Sequence, residues 1–159
     1  MSVAKPPSES ATEMVEVVLP NDANPMGFML GGAVMHLVDL AAAITAFRHA
    51  RELMVTAAVD GLEFINPIKV SDFVVLKARV TAAFTTSLEV EVTVFSEGAL
   101  TGRRQLTSRA YLTFVTLPRD GVRPKIPPLT VTSDEEKRAE KEAHARRAAH
   151  LERRARTDT

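Results

Sequence analysis

Residues 33–60 contain neither glycine nor proline, and the first part of this stretch most limits how the chain can fold. In residues 33–51, Asp39 is the only charged side chain before Arg48. A helix with this sequence is apolar on nearly every side, and such a helix must be buried. We therefore predict a long helix over residues 33–51 at the centre of a hydrophobic core.

A membrane span over residues 28–47 would have about the length that a bilayer requires. Asp39 would then lie inside the bilayer, where an acid costs roughly 2.5–3.5 kcal/mol on insertion scales. Gly31 and Gly32 also lie near one end of the segment. We therefore expect no membrane insertion, and the helix has to bury its surface against the rest of the protein.

Strand-like segments precede and follow this helix. One is predicted at residues 14–19, and four more follow at Met54–Phe64, Phe73–Ala83, 88–95 and 105–116. In the last three, the apolar residues that alternate with polar ones are expected to face the core: Val74, Leu76, Ala78, Val80, Leu88, Val90, Val92, Val94, Leu106, Ala110, Leu112 and Phe114. Connections as short as residues 96–101 favour antiparallel neighbours. The pattern predicts an α+β fold with one helix on one antiparallel sheet.

The sheet has a second face that this helix does not cover, and that face must contact solvent or a partner. Tyr111, Thr113 and Val115 on the last strand do not make it strongly charged. A homodimer is expected on that ground alone.

The ends of the chain differ in composition from this body. Residues 1–12 are polar, contain Pro6-Pro7 and are predicted to form a flexible arm, whereas residues 13–128 form the folded domain. Residues 129–159 form a charged tail in which Ser133 and Glu136 resemble a capping box, so a C-terminal helix is predicted. Two interpretations stay open for this helix: a solvated, partly frayed tail, or an arm that contacts an oligomer or another partner.

Charge and composition exclude several classes of protein. The chain carries 20 Lys and Arg against 20 Asp and Glu, a balance that argues against a general nucleic-acid binder. It has no cysteine, which excludes disulfides, thiolate metal sites and a cysteine nucleophile. The segment MSVAKPPSES has no apolar run typical of a signal peptide, so a cytoplasmic location is expected.

Asp39 is the first candidate for chemistry, because a carboxylate on an apolar helix needs a partner or a function. It can pair with His36, which lies one turn earlier on the same face, or act as a general base or nucleophile at the edge of a pocket. Gly31 and Gly32 precede the helix, whose first N–H groups can stabilise an oxyanion or only form a tight loop entry. Asn24 lies in the same loop, where it can hold a water, contact a carbonyl or form a turn.

The sequence NPMGFMLGGAVMHLVD, from Asn24 to Asp39, resembles the opening motif of the hot-dog-fold acyl-CoA thioesterases of the YciA and brain acyl-CoA hydrolase type. The segments AAAITAFRHAR, VTAAVDGLEFINPIKVSDFVVLKA and TTSLEVEV are also similar to that family. The resemblance covers residues 13–128 without large gaps and leaves the arm and the tail outside.

The resemblance implies a long central helix wrapped by an antiparallel sheet, with active sites at a homodimer interface. It also implies that three such dimers assemble into a hexamer. It implies hydrolysis of acyl-CoA to a fatty acid and coenzyme A, which is part of substrate and product, and it implies neither a cofactor nor a metal. Asp39 matches the catalytic carboxylate and Asn24 the catalytic asparagine, and the two meet from different protomers. Gly31 and Gly32 match the glycines whose amides face the thioester carbonyl.

Six of the twelve basic residues among residues 1–132 lie within residues 103–125. Arginine and lysine side chains suit the phosphates of coenzyme A, and in the family the TTS segment and the exit of the last strand contribute to the nucleotide site. The candidate contacts are Thr86, Ser87, Arg103, Arg104 and Arg119. The alternative for each arginine is a solvated surface charge.

Two other functions are compatible with this pattern. A hot-dog dehydratase acts on 3-hydroxyacyl thioesters through a histidine and an aspartate, and here His36 accompanies Asp39. A sensor that binds acyl-CoA without hydrolysing it needs only the binding site. The motif from Asn24 to Asp39 fits hydrolysis better than either alternative.

Overall fold

A computed structural model of the chain describes residues 2–158; Met1 of the predicted arm and Thr159 of the predicted tail lie outside the described residues. The helices are α1 (Pro7–Ser10), α2 (Gly31–Ala50) and α3 (Asp134–Thr157), with a short 3-10 helix at Pro20–Asp22. The strands are β1 (Thr12–Val17), β2 (Met54–Phe64), β3 (Phe73–Ala83), β4 (Ser87–Glu97) and β5 (Arg104–Thr116).

The five strands form one antiparallel sheet in the order β1-β3-β4-β5-β2. Helix α2 packs on one face of this sheet, as expected, and the core lies between them. From α2 the core includes Val34, Val38, Ala41, Ala42 and Ala46. The predicted inward residues of β3, β4 and β5 all belong to this core except Leu106.

Leu106 leaves the predicted face because the pairing of β4 with β5 shifts by one residue. Val94 pairs with Ser108, whereas Phe95 pairs with Leu106, so one residue of β5 is unpaired between them. A bulge of this kind reverses which face the following residues occupy. Leu106, at the start of β5, therefore does not take the buried place in the core that the alternation predicts.

The prediction of a flexible arm is wrong for residues 5–11. The backbone of Lys5 pairs with that of Pro128 and Thr130, at 3.0 and 2.9 Å, and its Nζ donates to the carbonyl of His49 at 3.0 Å. Pro7 and Ser10 of α1 are buried. The arm is therefore fixed between the end of α2 and the segment after β5, and the division of the chain into 1–12, 13–128 and 129–159 stays a prediction.

Helix α3 begins as predicted, since the Ser133 hydroxyl accepts from the Glu136 amide at 3.1 Å. It is not a solvated tail along its whole length, because Ala139 and Ala143 are buried. The helix packs on the sheet face opposite α2. The chain itself thus covers part of the face that was assigned to solvent or a partner.

Helix α2 is not buried on all sides, which corrects the first prediction. Leu40 and Phe47 are 42% and 37% exposed and lie on the side away from the sheet, and Met35, on the flank of the helix, is 46% exposed. Strand β2 is an edge of the sheet and exposes Val59 on the α2 side and Val55 on the opposite side. An apolar helix face next to an unpaired strand edge is a surface that proteins cover with a partner.

His49 is the largest polar side chain in the core and is fully buried near the end of α2. Its Nε2 donates to the carbonyl of Pro127 at 2.8 Å, and its Nδ1 has no partner among the described residues. Burial lowers the pKa of His49 from its ordinary value of 6.5, and the charge of Lys5 adds to this, against the Pro127 bond and Glu9. The imidazole is therefore uncharged in the folded protein at neutral pH.

Because the pKa of His49 is lower in the folded than in the unfolded chain, the unfolded chain binds the extra proton. Stability is then lost as the pH falls through about 6.5 toward the lower, folded pKa. His49→Gln, which keeps a donor for Pro127 and cannot titrate, should show a smaller loss of urea midpoint between about pH 7.5 and about pH 5. An equal loss in both proteins would contradict this role.

Candidate active site

The loop before α2 is held by Asn24. Its Oδ1 accepts from the amides of Met26 and Phe28, at 3.0 and 3.1 Å. These bonds make Asn24 a turn residue, one of the interpretations of the sequence. They use only the oxygen: among the residues that the structure describes, none accepts a hydrogen bond from its Nδ2. The side chain therefore shapes the loop and still has two N–H groups to donate.

Gly31 and Gly32 are the first two residues of α2. Leu30 precedes them and provides no side-chain cap, so the first N–H groups of the helix are available to a ligand. A cavity of about 400 Å³ lies beside this end and is lined by Asn24, Gly31 and Phe64 among others. Free N–H groups at the positive end of a helix suit a developing negative charge.

Asp39 lies two turns further along α2, about 12 Å from Gly31 at the usual helical rise. It is on the exposed face of the helix, which corrects the expectation of a buried carboxylate. Its Oδ1 accepts a hydrogen bond of 2.7 Å from the Thr56 hydroxyl of β2. The alternative pairing with His36 is not formed. Asn24 lines the cavity at the start of α2 and Asp39 does not, so one chain does not bring these two side chains together.

Thr56 is the site residue that sequence reasoning missed. It lies 17 positions after Asp39, and only the packing of α2 against β2 brings the two together. The sequence could have indicated Thr56 in one way only: it is the one polar residue among the first six of the predicted strand, MVTAAV. A hydroxyl that donates to the carboxylate fixes its orientation and leaves the other oxygen accessible.

The predicted coenzyme A contacts lie at two ends of the sheet. Thr86 and Ser87 are at the start of β4, where the Thr86 carbonyl accepts from the Thr116 amide at 3.0 Å. Arg119, just after β5, is at this same end and forms a salt bridge of 2.7 Å with Glu52. Arg104 pairs with Glu97 at the other end of β4, roughly 33 Å from Ser87 at the usual rise per residue, and Arg103 precedes it. One protomer therefore does not bring all five residues together.

No helix among residues 2–158 is both long enough and apolar enough to cross a membrane. The same residues contain no group of three or more His, Asp or Glu side chains placed to hold a metal ion.

Residues 26–102 match the thioesterase superfamily. Over 128 residues the chain is 38% identical to the uncharacterized acyl-CoA thioester hydrolase YkhA of Bacillus subtilis, covering 80% of this chain and 74% of that protein. The chain belongs to the acyl-CoA thioesterases. The solved structure of an apo-hexameric acyl-CoA thioesterase is 37% identical, has a TM-score of 0.90 and covers 96% of this chain and 98% of that one. The sheet wrapped on α2 is therefore the hot-dog fold that the motif implied.

Two further relatives extend the comparison. An acyl-CoA hydrolase of Staphylococcus aureus, solved with butyryl coenzyme A and coenzyme A, is 34% identical with a TM-score of 0.89, over 98% of this chain and 94% of that one. The human cytosolic acyl coenzyme A thioester hydrolase is 32% identical over 91% of this chain, which spans 40% of the human protein. The fold and family predicted from the motif are confirmed.

The two glycines of this thioesterase differ in the space around them, which gives a matched pair of variants. A Cβ on Gly31 would lie 3.3 Å from the Phe64 ring, whereas a Cβ on Gly32 meets nothing within 4 Å. Alanine stabilises a helix relative to glycine by up to about 1 kcal/mol. Gly32→Ala should therefore raise the free energy of unfolding by about 0.5 kcal/mol, and Gly31→Ala should gain less because Phe64 must move. Urea unfolding of both variants checks this order; a larger gain for Gly31→Ala would contradict it.

Proposed function

We propose that this thioesterase hydrolyses acyl-CoA with Asp39 as the catalytic carboxylate. The observation that carries the proposal is the exposed Asp39 carboxylate, oriented by Thr56, on a helix whose first N–H groups are uncapped. In this mechanism Asp39 takes a proton from water as the water oxygen attacks the thioester carbonyl. The amides of Gly31 and Gly32 of the other protomer stabilise the oxyanion, because those of the same chain lie about 12 Å from Asp39. The oxyanion collapses and expels the thiolate, and Asp39 returns the proton to its sulfur.

In a second route, the Asp39 carboxylate attacks the thioester carbonyl itself. The thiolate leaves, and water then hydrolyses the mixed anhydride that has formed on Asp39. Both routes require the same carboxylate, the same oxyanion site and no cofactor, so we propose that hydrolysis continues in the presence of a chelator.

The minimal active unit in this proposal is a homodimer. Asn24 and Asp39 lie apart in one chain, and Asp39 lies on the exposed apolar face of α2, beside the unpaired edge of β2. A second copy on this surface buries the apolar side chains and can supply Asn24 to Asp39. Its Nδ2 would then orient water or the substrate carbonyl.

Relatives support these assignments. Structures of the Staphylococcus aureus acyl-CoA hydrolase carry alanine in place of an aspartate, an asparagine or a threonine, and these three are spaced along that chain as Asp39, Asn24 and Thr56 are along this one. Hexameric thioesterases are among the similar structures, including one from Yersinia pestis. We therefore propose a trimer of dimers, and a cytoplasmic location in keeping with the cytosolic human relative.

Asp39→Asn keeps the acceptor for Thr56 and removes the base. Turnover of acyl-CoA, followed as free thiol over a panel from short to long chains, should fall by at least about 100-fold. Asp39→Ala should abolish it, and neither variant should disperse the oligomer in light scattering. Thr56→Ser, which keeps the hydroxyl, serves as the control and should stay active. Full activity of Asp39→Ala would refute the assignment, and binding without turnover by the wild type would favour a sensor.

Two inactive variants test the shared site. If each site takes Asp39 from one protomer and Asn24 from the other, a mixed dimer of Asp39→Ala and Asn24→Ala has one intact site. Random exchange of subunits should then recover about a quarter of wild-type activity, since half of the dimers are mixed. Mixing Asp39→Ala with Asp39→Asn provides the control and should recover nothing. No recovery in the first mixture, with exchange shown by mass spectrometry, would place both residues in one protomer's site.

A further inference from the structure

Helix α3 follows residues 26–102, the segment that matches the thioesterase superfamily, and it is fixed on the sheet by a partly buried ion pair. Arg146 donates two hydrogen bonds to Glu89, at 3.0 and 2.8 Å, and Glu89 is 5% exposed. The Arg146 guanidinium also lies 3.6 Å from the centre of the Tyr111 ring. The first turn is held by Arg79, which donates to Glu135 at 2.5 and 2.6 Å. The position of α3 is thus specified by directed contacts.

A cavity of about 270 Å³ lies between α3 and the strands. The sheet contributes Thr86 and Ser87, both predicted contacts of coenzyme A, and the segment after β5 contributes Arg123. The opposite wall is made by α3, with Arg147 and Arg154. The cavity therefore unites two of the predicted residues with cations that the family motif does not include.

The cations of this cavity are not neutralised by its acids. Its two carboxylates already have partners, because Glu89 binds Arg146 and Asp60 lies 3.6 Å from Arg153. Arg123, Arg147 and Arg154 form no salt bridge with any residue in the described part of the chain. Arg123 donates to the backbone carbonyl of Thr116, and Arg147 stacks 4.1 Å from the centre of the Phe84 ring, contacts that leave both charges in place.

We propose that α3 completes the binding site for the phosphorylated nucleotide of coenzyme A, with Arg147 and Arg154 as its phosphate contacts together with Arg123. Guanidinium groups beside hydroxyls bind phosphate through charge-assisted hydrogen bonds. This inference rests on the proposed function for the identity of the ligand. It assigns α3 a role in substrate specificity: the helix distinguishes acyl-CoA from thioesters that lack the nucleotide.

The test compares an acyl-CoA with the pantetheine thioester of the same acyl group. The double variant Arg147→Ala with Arg154→Ala should raise KM for acyl-CoA at least about tenfold, as expected for the loss of charge-assisted bonds. Its kcat/KM for the pantetheine thioester should be unchanged. The double lysine variant, which keeps both charges, should stay within about threefold of the wild type. Arg138→Ala, at an exposed position of α3 outside the cavity, is the matched control.

An unchanged KM for acyl-CoA, or an equal loss with both thioesters, would overturn the inference. Calorimetric titration with coenzyme A, 3′-dephospho-coenzyme A and pantetheine separates it from the proposed function. If the wild type hydrolyses neither thioester, the proposed function is refuted. Weaker binding of coenzyme A by the double variant than by the wild type would still support the phosphate site. Equal affinities of wild type and double variant for coenzyme A would refute that site. Circular dichroism shows whether α3 stays folded in each variant.

Discussion

The packing of α2 on the sheet is the constraint on which the rest of the structure depends. The helix presents small residues to the strands, Ala41, Ala42 and Ala46, all fully buried. Small side chains let the helix axis approach the sheet, and β3, β4 and β5 fill the space with Val, Leu and Phe114. Only one side of the helix is used in this way. The loop that carries Asn24, the position of Asp39 and the free face that a partner can cover all follow from that orientation.

The chemistry depends on the side of α2 that the core does not use. A carboxylate within the core would need a buried partner, at a cost of several kcal/mol if it had none. Asp39 instead lies on the outer face and is oriented by one hydroxyl from the neighbouring strand. A partner subunit would remove this carboxylate from bulk water only in the assembled enzyme. The apolar side chains around it thus serve association, and the same association would complete the site.

Sequence patterns predicted most of the fold because each strand and helix has its own periodicity. The bounds of β2 and β3, the long helix and the cap at Ser133 all depend on neighbouring residues. What the pattern missed depends on distant contacts. The Thr56 bond requires the register of β2 under α2, the altered face of Leu106 requires a bulge, and the order of the arm requires the segment after β5. Burial of Asp39 was predicted from apolar neighbours in sequence, which cannot distinguish a core from an interface.

The chain has 20 basic and 20 acidic residues, but they are paired differently in different regions of the fold. Across the boundary between α3 and the sheet, Glu135, Arg146 and Arg153 of the helix pair with Arg79, Glu89 and Asp60 of the strands, and these pairs hold the helix in place. Arg147 and Arg154 are on the same helix and form no such pairs in the described chain. Arginines left unpaired beside Thr86 and Ser87 give a locally positive cavity inside a neutral protein. The local excess of positive charge, rather than the net charge of the protein, decides whether a phosphate binds. Salt largely screens the interaction between exposed charges that are more than about 10 Å apart.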